Sequence, residues 1–263
     1  MDLGIENRVA AVGGASSGLG KAIAWVLARE GARVSICSRG EEQLERSQEA
    51  LRRASGREVF AYAADLSTEA GPKEFIGATV KEFGSLDILV CNSGGPPATI
   101  LANTSPDAWQ EALDMSLLST IRLVQAAVPY MRRNRWGRIV CNTSISVKSP
   151  LPGLILSNMA RPGVVGFAKS VATEFATDGI TVNVVCPGYM ATGRVEELAE
   201  AHAEKSGKSL EEVMVDLVAE IPAGRMGEPK ELGELVAFLA SERASYITGT
   251  TIQIDGGYVR SLL

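Results

Sequence analysis

The sequence predicts an α/β protein: a doubly wound parallel sheet of seven strands with helices on both faces, formed as a single domain. Three observations carry this. Short β-branched runs alternate with longer helical patterns from end to end, as βαβ units on a parallel sheet do. The first run passes into a glycine-rich turn, Gly13-Gly14-Ala15-Ser16-Ser17-Gly18-Leu19-Gly20, that opens an amphipathic helix. No long linker, low-complexity tract or repeat interrupts the 263 residues, a length that also fits two small domains but is read most simply as one.

In chain order, the runs RVAAV, RVSIC, EVFAYA, LDILVC, RIVCN, TVNVV and TIQI place strands at 8–12, 33–37, 58–63, 86–91, 138–142, 181–185 and 251–254. Helices fill the intervals at roughly 18–30, 41–54, 72–83, 106–133, 159–177 and 229–240. The fifth of these is the difficult one. Pro162 lacks a backbone N–H and pushes Arg161 away from helical geometry, so the helix is expected to start late or to be distorted there, with Asn158 as its cap.

Composition narrows the function. Hydrophobic residues make up 46% and charged residues 22%, which suits a soluble chain with a sizeable core. A net charge of −5 argues against a nucleic-acid surface. No apolar run approaches the roughly 20 residues of a membrane span, and the start, MDLGIENRVAAV, lacks the pattern of a secretory signal, so a cytoplasmic location is expected. The four cysteines, Cys37, Cys91, Cys141 and Cys186, each close a Val/Ile-rich run and should lie near one edge of the sheet. With no C-x-x-C and one histidine, His202, no metal site is expected.

A glycine turn between a strand and a helix lets backbone N–H groups approach a pyrophosphate at the positive helix end. That assigns Gly14, Ser16, Ser17, Gly18, Leu19 and Gly20 to nucleotide binding; the alternative is a tight turn that merely needs positive φ. The second strand ends in Cys37-Ser38-Arg39, without the acidic residue that would hold a ribose 2′-hydroxyl. Arg39 can instead pair with a 2′-phosphate, which favours NADP(H) over NAD(H). An exposed Arg39 paired with Glu41 or Glu42 is the bland alternative.

Residues 139–169, IVCNTSISVKSPLPGLILSNMARPGVVGFAK, together with GITVNVVCPGYMAT and the closing Asp255-Gly256-Gly257, resemble the short-chain dehydrogenase/reductase family, nearest its 3-oxoacyl-acyl-carrier-protein reductase-like branch. The resemblance covers nearly the whole chain. It implies a Rossmann-type fold and an oxidoreductase acting on a carbonyl or secondary alcohol of a small molecule. It also implies contacts to the cofactor from Asp65-Leu66 (adenine), Asn92 and Gly94 (adenosine ribose), and Pro187, Gly188 and Thr192 (carboxamide). Residues 190–222 would form a mobile lid over the substrate, and relatives imply a homotetramer or homodimer.

The catalytic positions depart from the family. Ser144, thirteen residues before position 157, matches the family's serine, but Ser157 stands for its tyrosine, Arg161 for its lysine and Ser116 for its asparagine. Gly13 also replaces a threonine whose hydroxyl would brace the turn. Serine has no accessible ionisation to match a tyrosine lowered by a neighbouring cation, and Arg161 is no equivalent of an ammonium. Tyr189 and Lys148 are the nearest surrogates by position. The sequence therefore leaves catalysis open, leaning towards an enzyme by family, with a nucleotide-binding or scaffolding protein that has lost hydride transfer as the alternative.

Overall fold

The computed structural model describes residues 1–262. Seven strands, β1 (Val9–Val12), β2 (Arg33–Ser38), β3 (Val59–Ala63), β4 (Ile88–Cys91), β5 (Gly137–Asn142), β6 (Ile180–Pro187) and β7 (Thr251–Ile254), form one sheet in the order β3-β2-β1-β4-β5-β6-β7. All pairings are parallel. The expected Rossmann-type class and all seven strands are present, with ends shifted by a residue or two. The chain leaves β1 towards β2 and β3 on one side and returns to β4 on the other, so β1 and β4 flank a switch point at their carboxyl ends. That crevice is where open α/β sheets bind ligands.

Period-two alternation builds a core on each face. Along β1, Ala10 and Val12 enter one cluster while Val9 and Ala11 enter the other. On the first face α1 (Gly18–Arg29), α2 (Glu41–Ser55) and α9 (Pro229–Leu239) bury Ile23, Leu27, Leu44, Leu51, Leu232 and Val236. On the second, α3 (Gly71–Phe83), α5 (Ser119–Asn134) and α6 (Ile155–Phe175) bury Phe75, Ile76, Leu123, Met131 and Val164. Each such side chain removed from water contributes roughly 1.5–3 kcal/mol, which fixes the sheet edge on which the crevice sits. All four cysteines are free and buried, with Cys91 directly opposite Cys141 in register.

Two helices differ from expectation. The helix expected over 106–133 is α4 (Pro106–Leu113), a π turn at Asp114–Leu118, and then α5. The Ser119 and Thr120 hydroxyls donate back to the carbonyls of Met115 and Ser116 inside that turn, a competition with helical bonding that periodicity does not reveal.

The second difference concerns Pro162, which does not delay α6: the helix starts at Ile155, four residues before the expected start, and Pro162 lies inside it. Asn158 is no cap. Its side chain accepts from the Leu151 N–H at 3.1 Å and donates to the Leu151 carbonyl at 2.9 Å, tying the preceding loop to the helix. Thr99 binds the Gly153 carbonyl at 2.7 Å, and Leu156, Ser157 and Ala160 are buried. These tertiary contacts outweigh a proline cost of about 3 kcal/mol. A further helical pair, α7 (Gly193–Ser206) and α8 (Leu210–Ala219), follows β6. Among the described residues no helix is long and apolar enough to cross a membrane.

Candidate functional site

The turn after β1 is shaped by contacts that exclude side chains. Gly14 and Gly18 have φ of +56° and +53°. A Cβ on Gly20 would overlap the Gly14 carbonyl oxygen and approach Asn92 Nδ2 to 2.6 Å. Asn92, at the end of β4, donates through that nitrogen to the carbonyls of Gly13 at 2.9 Å and Gly14 at 3.2 Å, while its Oδ1 accepts from Asn142 at 2.8 Å. Gly13 is closely packed in the same turn. A Cβ there would meet the Asn92 carbonyl oxygen at 2.7 Å and Leu66 Cδ1 at 2.9 Å, and the Asn92 amide braces the turn through its bonds to Gly13 and Gly14.

The turn points α1 at the crevice. Ser17 is the N-cap in extended geometry with its hydroxyl making no cap bond, and the first turn carries no acid. The first α1 backbone bond is Lys21 N–H to the Ser17 carbonyl, so the N–H groups of Gly18, Leu19 and Gly20 face outward without helical partners. Together with the dipole they offer a seat for an anion.

Two adjoining cavities, about 550 Å³ and 490 Å³, share the glycine turn and the loop after β4. The larger is walled by Gly14, Ser17, Gly18, Leu19, Gly20, Asn92, Gly94, Ser144, Ser157, Arg161, Pro187, Gly188, Tyr189 and Thr192; the other adds Ser16, Ser38, Arg39, Asp65 and Leu66. Of the residues assigned to the cofactor or to the family's catalytic positions, Ser116 stays outside both cavities. It is buried in the π turn with its hydroxyl unpartnered. Lys148 lines neither cavity.

At the adenosine side Arg39 is exposed and, among the described residues, forms no ion pair; Glu42 is held by Arg46 at 2.6 Å. Burial acts to raise the Asp65 carboxyl, but bonds from the Ser67 hydroxyl at 2.7 Å and Ser67 N–H at 2.9 Å, with the charge of Arg39, hold it below its ordinary value.

At the opposite end three serines form a chain. Ser144 Oγ accepts from the Ser146 N–H at 3.1 Å, and the Ser146 and Ser157 hydroxyls pair at 3.2 Å. Ser146 escaped sequence reading because nothing in its spacing marks it. One turn along α6, Arg161 donates to the Thr143 carbonyl, while its Nε is buried without a partner. Burial, then the charge of Arg194, pushes the Arg161 guanidinium down to about 10.

Tyr189 packs edge-on against Tyr258, with ring centroids 5.2 Å apart, and Tyr258 donates to Glu220 at 3.2 Å. Burial raises the Tyr189 phenol, the hydrogen bond to Tyr258 opposes this, and Glu220 adds to the rise. The direction is opposite to that of a phenol activated by a cation.

A model of the family described as Enoyl-(Acyl carrier protein) reductase matches residues 14–259. The 3-oxoacyl-[acyl-carrier-protein] reductase FabG of Vibrio cholerae is 35% identical over 255 residues, covering 97% of this chain and 98% of that protein. FabG of Staphylococcus epidermidis is 35% identical over 251 residues, covering 95% and 98%. Among solved structures, L-sorbose reductase from Gluconobacter frateurii, complexed with NADPH and L-sorbose, superposes with a TM-score of 0.95 at 32% identity over 100% of both chains. A variant of actinorhodin polyketide ketoreductase with NADPH gives 0.92 at 33% identity, covering 96% of this chain and 97% of that one.

Proposed function

The chain belongs to the short-chain dehydrogenase/reductase family, and from that premise we propose that it is an NADP(H)-dependent oxidoreductase acting on a carbonyl or secondary alcohol, without tyrosine-based proton transfer. The observation that carries the reading is the outward-facing, acid-free N-terminus of α1, opening into the same cavity as Ser144 and Thr192.

In this reading the turn and the α1 N–H groups hold the diphosphate, and Asn92 keeps that turn rigid. Arg39 receives the 2′-phosphate, which favours NADPH over NADH, and Asp65 accepts from the adenine. Pro187, Gly188 and Thr192 hold the nicotinamide end, and α7 with α8, within residues 190–222, act as the lid of a single domain. The bound cofactor supplies or accepts the hydride. Ser144 and Ser157 donate hydrogen bonds to the substrate oxygen, and Ser146, between them, orients both hydroxyls. The proton itself comes from water, because neither serine ionises near neutrality. Losing a positioned acid forgoes roughly 10²- to 10⁴-fold of rate, while alignment of the reactants still contributes. A homotetramer or homodimer is part of the proposal.

The serine at position 157 favours a second reading, a nucleotide-binding protein without hydride transfer. An NADPH-oxidation assay on a panel of ketones, run on the natural protein and on Ser157→Tyr/Arg161→Lys, tests both. Slow turnover that the double variant accelerates supports the first. NADPH binding with turnover only in the double variant supports the second, and no turnover in either protein refutes the first.

A further inference from the structure

Arg194, in the first turn of α7, lies where sequence reading gave no role. A point one Cβ bond from Gly95, in the loop after β4, is 3.5 Å from Arg194 Nε, 3.6 Å from Arg194 Nη2 and 3.7 Å from Arg161 Nη2. Two guanidinium groups, from α6 and α7, therefore converge over one glycine, and both line the larger cavity. Like charges so placed repel; Arg194 is the second cause, after burial, of the depressed Arg161.

The charges are poorly balanced by the protein. Arg194 has one carboxylate, Glu197 at 3.2 Å, with both side chains well exposed, and otherwise donates to the Pro96 carbonyl at 2.7 Å. Among the described residues Arg161 has no acidic partner. One of its nitrogens reaches the Thr143 carbonyl and its buried Nε reaches nothing. A desolvated cation left without a counter-ion is costly. Guanidinium groups are also the side chains best shaped to grip a planar carboxylate or a phosphate through paired donors.

We propose that Arg161 and Arg194 form an anion site over Gly95, at the middle of the cleft, that takes the oxygens of a phosphate or carboxylate group. Two sources present that chemistry: the diphosphate of the dinucleotide, or an acidic group on the substrate. A substrate source would make the preferred substrate an acidic carbonyl or hydroxy compound. The site rests on the reading above only in lying in the cleft assigned to the dinucleotide.

The test is calorimetric titration of the full chain with inorganic phosphate and with acetate at low ionic strength, with and without saturating NADPH. The natural protein should bind phosphate, and Arg194→Gln, which retains a donor for the Pro96 carbonyl, should weaken it by about tenfold or more, as loss of a charge-assisted bond does. Arg161→Gln should do the same, and Arg161→Lys should keep part of the affinity; thermal unfolding of each variant verifies that it is folded. Phosphate binding abolished by NADPH identifies the cofactor's diphosphate as the source. Phosphate or acetate binding that survives NADPH identifies an acidic group on the substrate. No phosphate binding, or equal binding by the natural protein and folded Arg194→Gln, overturns the site and leaves Arg194 a strut to Pro96. NADPH binding without any anion effect would refute the site alone, and anion binding without NADPH binding would refute the cofactor reading alone.

Discussion

Gly20→Ala separates a functional turn from an ordinary helix. On propensity alone, alanine in the first turn of α1 stabilises by up to about 1 kcal/mol. The structure predicts the reverse. The new Cβ would overlap the Gly14 carbonyl oxygen and crowd Asn92 Nδ2 at 2.6 Å, and neither is the end of a flexible side chain with room to retreat. Moving the Asn92 amide sacrifices its bonds to Gly13 and Gly14 and disturbs the one from Asn142. At about 1 kcal/mol net for each bond, the loss is roughly 2–3 kcal/mol, offset by the propensity gain to about 1–2 kcal/mol. For a chain of this size that lowers Tm by about 2–8 °C. Thermal unfolding measures the stability, and fluorescence titration with NADPH measures the seat, which should weaken about tenfold or more because the α1 N–H groups shift with the turn. A variant as stable as the natural protein with undiminished NADPH affinity would refute the reasoning that the turn is closed around Asn92.

Three further outcomes are expected. Arg39→Ala should weaken NADPH by about tenfold or more and leave NADH nearly unchanged, since only a 2′-phosphate engages the guanidinium; equal losses for both would remove Arg39 from the 2′-position. Tyr189→Phe should leave turnover and its pH profile unaltered, because a phenol raised by burial and by Glu220 stays protonated across neutral pH; a lost limb in that profile would make Tyr189 a proton donor. Pro162→Ala should stabilise the protein by about 1–2 kcal/mol in denaturant unfolding, as the helix gains an N–H that can reach the Asn158 carbonyl; no gain would show that α6 accommodates the proline without a lost bond.

The sheet was legible because each strand is a short β-branched run between breakers, whereas the division of β1 residues between the two faces appears only in the structure. That the glycine turn and the loop after β4 share one cleft was legible for a related reason: both follow parallel strands at the carboxyl edge of the sheet. The start of α6 was not, since the Asn158–Leu151 bonds and the Thr99–Gly153 contact join positions far apart in sequence to hold a helix through a proline. The bracing of the turn by Asn92 was not legible either, since that amide reaches Gly13 from 79 positions away. Arg194 was invisible for the same reason, as only the fold brings the first turn of α7 to Gly95 and Arg161.

Equilibrium titration of the natural protein with NADPH and, separately, NADH tests the central claim most directly. The account predicts saturable binding of both, tighter for NADPH, with affinity weakened about tenfold or more in Gly20→Ala and selectivity lost in Arg39→Ala. No saturable binding of either nucleotide would contradict it.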